Sequence, residues 1–545
     1  MGVVSTRRLR CLETSQQIYK GTIRVSLARF YSRINDAISP LLSGGADLQT
    51  FLAEKIVCLK APDDLEEHPI HLAGFILATN LCARLYPRLR ILAPSRVGEQ
   101  CASTVFQVNP SCEIDTKRGT SDAELAWAVP PESDSAAVVA PSGWEVLIDL
   151  PGSRRIQPSN ILVSLAAASI GVGELFRTVF AQFLATGRVG VSPGRLNILT
   201  LDELPADLPQ LSSNIDIGRV HLVGAGAVGQ AAIYTLARVS ATGTIVVVDP
   251  EQIALSNLQR YVLSIDSDVS ASKCSIVARA LKGSRLETVC RESFWGDDEL
   301  ATDDVEVVCT AVDTEAVRIG IQAGLPRKIY NAWTQPADLG WSRHERFGDD
   351  PCLACLYWPN RPRPSHHQLI ARAVRQHELR VLAYLTFRVP VDVPLRPEQI
   401  PRLPTLPAPA DSPSWIEHSL LDDIAHSLEI ALEDAVLWKG KHLSDLYREG
   451  VCGGALISRH IGDIAQEMAV PLAHQSVLAG IMLAAQVLIA SSPELMPFRP
   501  VASEARLNVL AGLPQIAPRP RQRSQGCICS DSDFVDRYRV KWDNY

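Results

Sequence analysis

A glycine triplet between a strand and a helix constrains this chain more than any other feature. Val220 to Val223 is apolar and runs into Gly224-Ala-Gly226-Ala-Val-Gly229, and an Ala/Leu-rich helical stretch follows as far as Arg238. Gly243-Thr-Ile-Val-Val-Val-Asp249 comes next, a β-branched run that ends in an acid. Strand, glycine turn, helix and strand make one βαβ unit. Further strands are predicted at Val305–Thr310 and Lys328–Ala332, with a helix from about Thr314 to Ala323 between them. Such alternation points to an α/β fold around a doubly wound, Rossmann-like parallel sheet.

In this turn the first glycine allows the tight bend and the second lets a phosphate approach the backbone. The third lets the helix pack on the strand, with helix amides facing the anion. Asp249 stands where an acid would hold ribose hydroxyls. Alone, this pattern says only that a nucleotide binds, most often NAD or FAD. A glycine turn with no ligand is the bland alternative.

The residues after Asp249 are not those a dehydrogenase needs. Ser256-Asn257-Leu258-Gln259-Arg260 comes shortly after it, and Lys273 heads the next predicted helix. Arg260 and Lys273 put two cations beside the nucleotide, as a reaction that expels pyrophosphate requires. Asp313 lies just past the strand Val305–Thr310, at the carboxyl edge of the sheet, where a carboxylate can hold Mg²⁺ against phosphates. Any one of these charges alone reads as ordinary surface; their order is what is specific.

The order Gly-x-Gly-x-x-Gly, Asp, Ser-Asn-Leu-Gln-Arg, Lys and a strand-end Asp resembles the adenylation pattern of the ThiF/MoeB and ubiquitin-activating-enzyme superfamily. The likeness covers about residues 215–360 and 445–540. It implies that ATP meets Gly224, Gly226 and Gly229, that Asp249 binds its ribose, and that Asn257, Arg260 and Lys273 engage its phosphates. It implies magnesium at Asp313. Tyr261 departs from the pattern, since the family usually has Gln after the Arg.

The chain carries 13 cysteines and no apolar core behind Arg7 and Arg8, which favours a reducing, cytoplasmic setting over a secreted disulfide framework. Cys352-x-x-Cys355 has metal-knuckle spacing, and Cys527-x-Cys529 lies far downstream beside Gly526. Four thiolates in two close pairs suit a tetrahedral structural zinc site, and the resembled family often carries zinc between these regions. Cys11, Cys58, Cys82, Cys101, Cys112, Cys274, Cys290 and Cys309 are scattered and read as small core residues. Arg448-Glu-Gly-Val-Cys452-Gly-Gly sets a cysteine among glycines ahead of helical sequence, where it is open to attack chemistry. That string is similar to the catalytic-cysteine segment of the activating enzyme for a small ubiquitin-like modifier, which implies Cys452 as the nucleophile. His366, His367 and His474 are candidate neighbours, though a core or surface role suits each as well.

The N-terminal 200 residues repeat the α/β grammar without the chemistry. Strands are predicted at 55–60, 88–92 and 144–149, and helices at 72–85 and 160–184. The first turn carries Asp63, Asp64, Glu66 and Glu67 and no glycine, so it repels a phosphate. Residues 1–200 therefore read as an inactive adenylation-like domain. Residues 205–360 form the first part of the active one. Residues 361–450 are an insert whose stretch 390–413 has eight prolines, an extended crossover. Residues 451–545 supply the cysteine segment, the end of the adenylation domain and a C-terminal zinc module reached through a basic linker at 513–525. Phe30-Tyr31-Ser32-Arg33 bears a faint similarity to the family's motif in which an arginine of the partner domain touches the phosphates.

A net charge of −7 argues against nucleic acid as the main partner. The apolar stretch Val477 to Ala490 contains Gln486 and is too short to suggest a membrane span. Met1-Gly2-Val-Val-Ser-Thr matches the loose myristoylation pattern, which short sequences meet by chance. The resemblance implies an ATP-dependent activating enzyme for a ubiquitin-like protein, working with a conjugating-type enzyme; a homodimer is compatible with it. Single chains of this plan resemble activating enzymes of bacterial ubiquitination-like operons, some of which act in phage defence. The alternatives are sulfur-carrier-protein adenylation and a nicotinamide-dependent oxidoreductase. The second leaves Arg260, Lys273 and Cys452 idle.

Overall fold

The computed structural model describes residues 48–181, 193–201, 207–297, 305–335, 338–357, 472–508, 516–519 and 521–542. Residues 41–363 with 471–545 form one compact unit that holds all of them. Cys452, His366, His367, Arg33, Gly2 and the proline-rich crossover lie outside the described residues.

Two sheets share one strand order. The first comprises β1 (Val57–Lys60), β2 (Arg88–Leu92), β3 (Glu113–Asp115), β4 (Ala123–Trp127), β5 (Ala136–Ser142), β6 (Glu145–Ile148) and β7 (Gly194–Asn197), arranged β3-β2-β1-β4-β5-β6-β7. The second comprises β8 (Ile215–Val223), β9 (Ala241–Val248), β10 (Leu286–Arg291), β11 (Val307–Thr310), β12 (Lys328–Thr334), β13 (Asp338–His344), β14 (Glu504–Asn508) and β15 (Ile516–Arg519), arranged β10-β9-β8-β11-β12-β13-β14-β15. In each, the first five strands pair in parallel and the later ones antiparallel. The N-terminal sheet is thus a strand-for-strand counterpart of the glycine-bearing one, with β15 as the addition.

The second sheet forms where the sequence is most β-branched. Val220, Leu222 and Val223 of β8 and Ile245 to Val248 of β9 are all buried, as strands covered on both faces by helices must be. Among the described residues, the helices are α1 (Leu48–Glu54), α2 (Pro69–Ala83), α3 (Ser95–Val108), α4 (Ile161–Val179), α5 (Ala227–Leu236), α6 (Lys273–Leu281), α7 (Glu315–Ala323), α8 (Ala473–Ala490) and α9 (Ser532–Trp542). The counterpart relation extends to α4, between β6 and β7, and α8, between β13 and β14. Asn160 starts α4 by accepting a hydrogen bond from the Val163 amide at 3.2 Å.

Helix α8 packs on α5, on α4 and on strand β12, and beyond its polar first turn it is apolar on nearly every side because it is buried on nearly every side. Its 18 residues are long and apolar enough to cross a membrane, longer than the sequence pattern suggested, yet 94% of them lie inside the protein. Helix α4 behaves alike at 89%. His474 belongs to this core, with its ring 5.8 Å from that of Phe176 and its pKa pushed down to about 3 by burial. Cys58, Cys82, Cys101, Cys274 and Cys309 are buried as expected of small core residues, whereas Cys290 is exposed and Cys112 half-buried.

Candidate functional site

The carboxyl edge of β8, β9 and β11 gathers the residues singled out in the sequence. β8 runs into Gly224, whose φ of +94° excludes an ordinary side chain; a Cβ there would sit 2.7 Å from the Ala311 carbonyl oxygen just past β11. At Gly229 a Cβ would lie 2.0 Å from the Gly224 oxygen. These two glycines are therefore demanded by the packing of the turn on its own helix and on the neighbouring strand. Gly226 is the N-cap residue of α5 and has no side chain to cover the first-turn amides.

Asp249 ends the β9 run and is buried. One of its oxygens accepts from the Ala225 amide at 2.7 Å, the other from the Glu251 amide at 2.9 Å. Burial raises its carboxyl pKa, while Lys273, with Nζ 3.9 Å away, opposes that rise. Lys273 is the first residue of α6, fixed there by Ser272, whose hydroxyl caps the Ser275 amide at 3.1 Å. Burial disfavours the Lys273 charge, but Tyr261, Asp249 and Glu251 outweigh it and hold the ammonium well above its usual range. Glu251 pairs with it directly.

Asn257 closes the short turn Leu255–Asn257, its side chain accepting from the Ala254 amide at 2.9 Å. Arg260 follows, and its guanidinium and the Lys273 ammonium each lie 5.4 Å from the centre of the Tyr261 ring. The Tyr261 hydroxyl also approaches Gly226, 3.3 Å from where a Cβ would be. Asp313 is exposed just beyond Ala311, on the same edge as the glycine turn. The glycine turn, Asp249, the two cations and Asp313 thus lie along one sheet edge, a set of groups that could hold a phosphate-bearing nucleotide.

The two cysteine pairs meet. Sγ of Cys352 lies 3.5 Å from that of Cys527 and 4.0 Å from that of Cys355, and Cys355 lies 3.4 Å from Cys529. All four are buried. A tetrahedral ion with bonds of about 2.3 Å to sulfur sets its ligands roughly 3.8 Å apart, so this donor set could hold zinc. Helix α9 follows the second pair and is tied back by Tyr538 to the Arg327 carbonyl at 2.8 Å and by Trp542 to that of Leu325 at 2.9 Å.

Residues 210–492, more than half the chain, match the pattern of the ThiF family. The chain belongs to the ThiF family. That family is one of adenylating enzymes using ATP with Mg²⁺. An uncharacterized protein of Sinorhizobium fredii, y4jF, is 31% identical over 546 residues, 95% of this chain and 98% of that protein. The SAMP-activating enzyme E1 of Haloferax volcanii is 30% identical over 168 residues, 29% of this chain and 59% of its own. Among solved structures, E. coli MccB with AMPCPP and MccA is 22% identical with a TM-score of 0.23, over 25% of this chain and 42% of that one. E. coli TcdA, a tRNA N6-threonylcarbamoyladenosine dehydratase, is 18% identical with a TM-score of 0.19, over 21% and 51%. The chain thus spans less than two thirds of the length of these last three relatives.

Two residues at this edge were given no role by the sequence. Glu251, the direct partner of Lys273, looks like any surface acid. Tyr261 occupies the place where the resemblance expects Gln, and its packing against both cations and Gly226 is visible only in the fold. The counterpart edge of the N-terminal sheet is different. Lys60, at the end of β1, donates to the Pro130 carbonyl and pairs with Glu132, both at 3.0 Å. The Glu132 amide donates to the buried Glu124 carboxylate at 3.0 Å, and Arg90 pairs with Asp115 at 2.8 Å. Here the chain's own side chains satisfy one another.

Proposed function

We propose that the protein activates a ubiquitin-like protein in two steps. ATP and the modifier's C-terminal carboxylate form an acyl adenylate and pyrophosphate, and the thiol of Cys452 then displaces AMP to give a thioester, which a conjugating-type enzyme receives. A carboxylate is a poor electrophile until its oxygen becomes part of a phosphate leaving group. The single observation that supports adenylation over hydride transfer is the pair of cations, Arg260 and Lys273, packed against one tyrosine ring beside the glycine turn. The ThiF-family match and the relative named a SAMP-activating enzyme E1 agree with it. In this reading Asp249 orients the ribose and Asn257, Arg260 and Lys273 hold the phosphates. Asp313 would hold magnesium, which would supply charge neutralisation for the departing pyrophosphate. The N-terminal sheet serves as an inactive adenylation-like partner in cis. The setting is cytoplasmic, and an antiphage operon is the context such single chains suggest.

ATP–pyrophosphate exchange with a candidate modifier tests the first step. Arg260→Ala and Asp313→Ala are each expected to lower the exchange rate by about 100-fold or more, the scale of losing a charge-stabilising group. Tight NAD binding with no ATP binding, measured by calorimetry, would reverse the assignment. Exchange with a modifier that never forms a reducible thioester would favour sulfur-carrier adenylation.

The four-cysteine cluster is expected to hold one zinc per chain in protein purified without chelator. Cys352→Ser with Cys527→Ser is expected to cost several kcal/mol of stability, since structural zinc contributes directly to folding. Metal analysis that finds no zinc would remove the site.

A further inference from the structure

Arg84 closes α2, in the N-terminal half, and none of its surface is exposed. Such a guanidinium would normally face a carboxylate. This one faces backbone carbonyls instead: its Nη1 donates to Leu258, and its Nη2 donates to Val262 at 3.2 Å and to Ser264 at 3.0 Å. Its Nε donates to Asn80, one helical turn earlier, at 2.8 Å, and Asn80 in turn donates to the Val262 carbonyl at 3.4 Å. Burial pushes the guanidinium pKa down only to about 9, so it keeps its charge at neutral pH.

Arg260 and Tyr261 lie between the anchored carbonyls of 258 and 262, in a segment that belongs to no regular helix or strand. A fork of N–H donors suits such a loop, because three convergent carbonyls cannot be met by an apolar side chain or by the single point of a lysine. The same loop is tied forward into the site. The Ser264 hydroxyl donates to Gln230 at 3.0 Å, the Gln230 amide group donates to the Ala225 carbonyl at 3.3 Å, and the Ala225 amide donates to Asp249. Gln230 and Ser264 are fully buried.

We infer that Arg84 is a positioning residue: it clamps the 258–264 loop from the N-terminal half and so fixes Arg260 and, through Ser264 and Gln230, the glycine turn for ATP. It touches no substrate itself. The inference rests on the reading of this edge as an ATP site, but the clamp itself can be tested without that reading.

The test uses the full-length chain. Arg84→Met is expected to speed amide exchange across residues 256–264 by at least about tenfold relative to wild type. It is also expected to weaken MgATP binding in calorimetry by about 10- to 100-fold, the scale of a small misplacement of a binding group, while the thermal transition stays cooperative. Arg84→Lys is expected to recover only part of both. A folded Arg84→Met with wild-type exchange over 256–264, or with wild-type MgATP affinity, would overturn the inference. If Arg84→Met does not fold, Ser264→Ala cuts the same relay without stranding a charge; unchanged MgATP affinity in that variant would overturn it equally. Failure of the wild-type protein to bind MgATP would refute the proposed function, while the amide-exchange comparison would still decide the clamp.

Discussion

Cys452→Ala is expected to abolish the protein–modifier thioester completely and to leave ATP–pyrophosphate exchange within about twofold of wild type, because a thiol that acts only in the second step adds nothing to the first. The two steps are separable on physical grounds. In the proposed reading, adenylation draws its charge stabilisation around the phosphates from Arg260, Lys273 and the glycine turn, which lie at one sheet edge. Thioester formation needs an accessible thiolate. Among the described residues, the cysteine nearest this chemistry in sequence, Cys274, is a poor substitute: its thiol donates to the Asp249 carbonyl at 3.4 Å, and burial pushes its pKa up to about 12. A non-reducing gel after incubation with ATP and modifier reads the outcome directly. A thioester that persists in Cys452→Ala would take Cys452 out of the mechanism and turn attention to exposed Cys290.

The sequence was legible where its signals are local. β8, β9 and the glycine turn announce themselves because β-branched strands, a φ no other residue tolerates and a helix start occur within one short segment. In the N-terminal half β1, β2, β6, α2 and α4 could be placed for the same reason. β4 could not, since Ala-Glu-Leu-Ala-Trp has neither β-branching nor alternation and becomes a strand only between β1 and β5. Helix α3 begins directly after Pro94, in a stretch where no helix was expected from the sequence. β15 contains Pro518, which an edge strand tolerates but a pattern search rejects. Spacing identified each cysteine pair, yet their meeting across the sequence is a property of the fold. Arg84 was invisible for a deeper reason: its partners in the 258–264 loop are backbone carbonyl groups, which every residue owns and no sequence displays.

Removal of residues 1–200 is expected to give insoluble or inactive protein, with pyrophosphate exchange lowered by about 100-fold or more, even though every adenylation motif remains. Helix α8 is buried in part by α4, so truncation bares a largely apolar face on α8. The 258–264 loop loses Arg84 and Asn80 at the same stroke. The intact chain, by contrast, is expected to bind one ATP and not two. A phosphate at the first turn of the N-terminal half would meet Asp63, Asp64, Glu66 and Glu67 in place of free amides, and the counterpart edge already closes on itself through Lys60 and Glu132. Equilibrium binding of labelled ATP to the full-length chain measures that number. Two ATP per chain, or a soluble and fully active fragment beginning at residue 205, would mean that the N-terminal sheet is an independent module that shares its counterpart's topology but not its task.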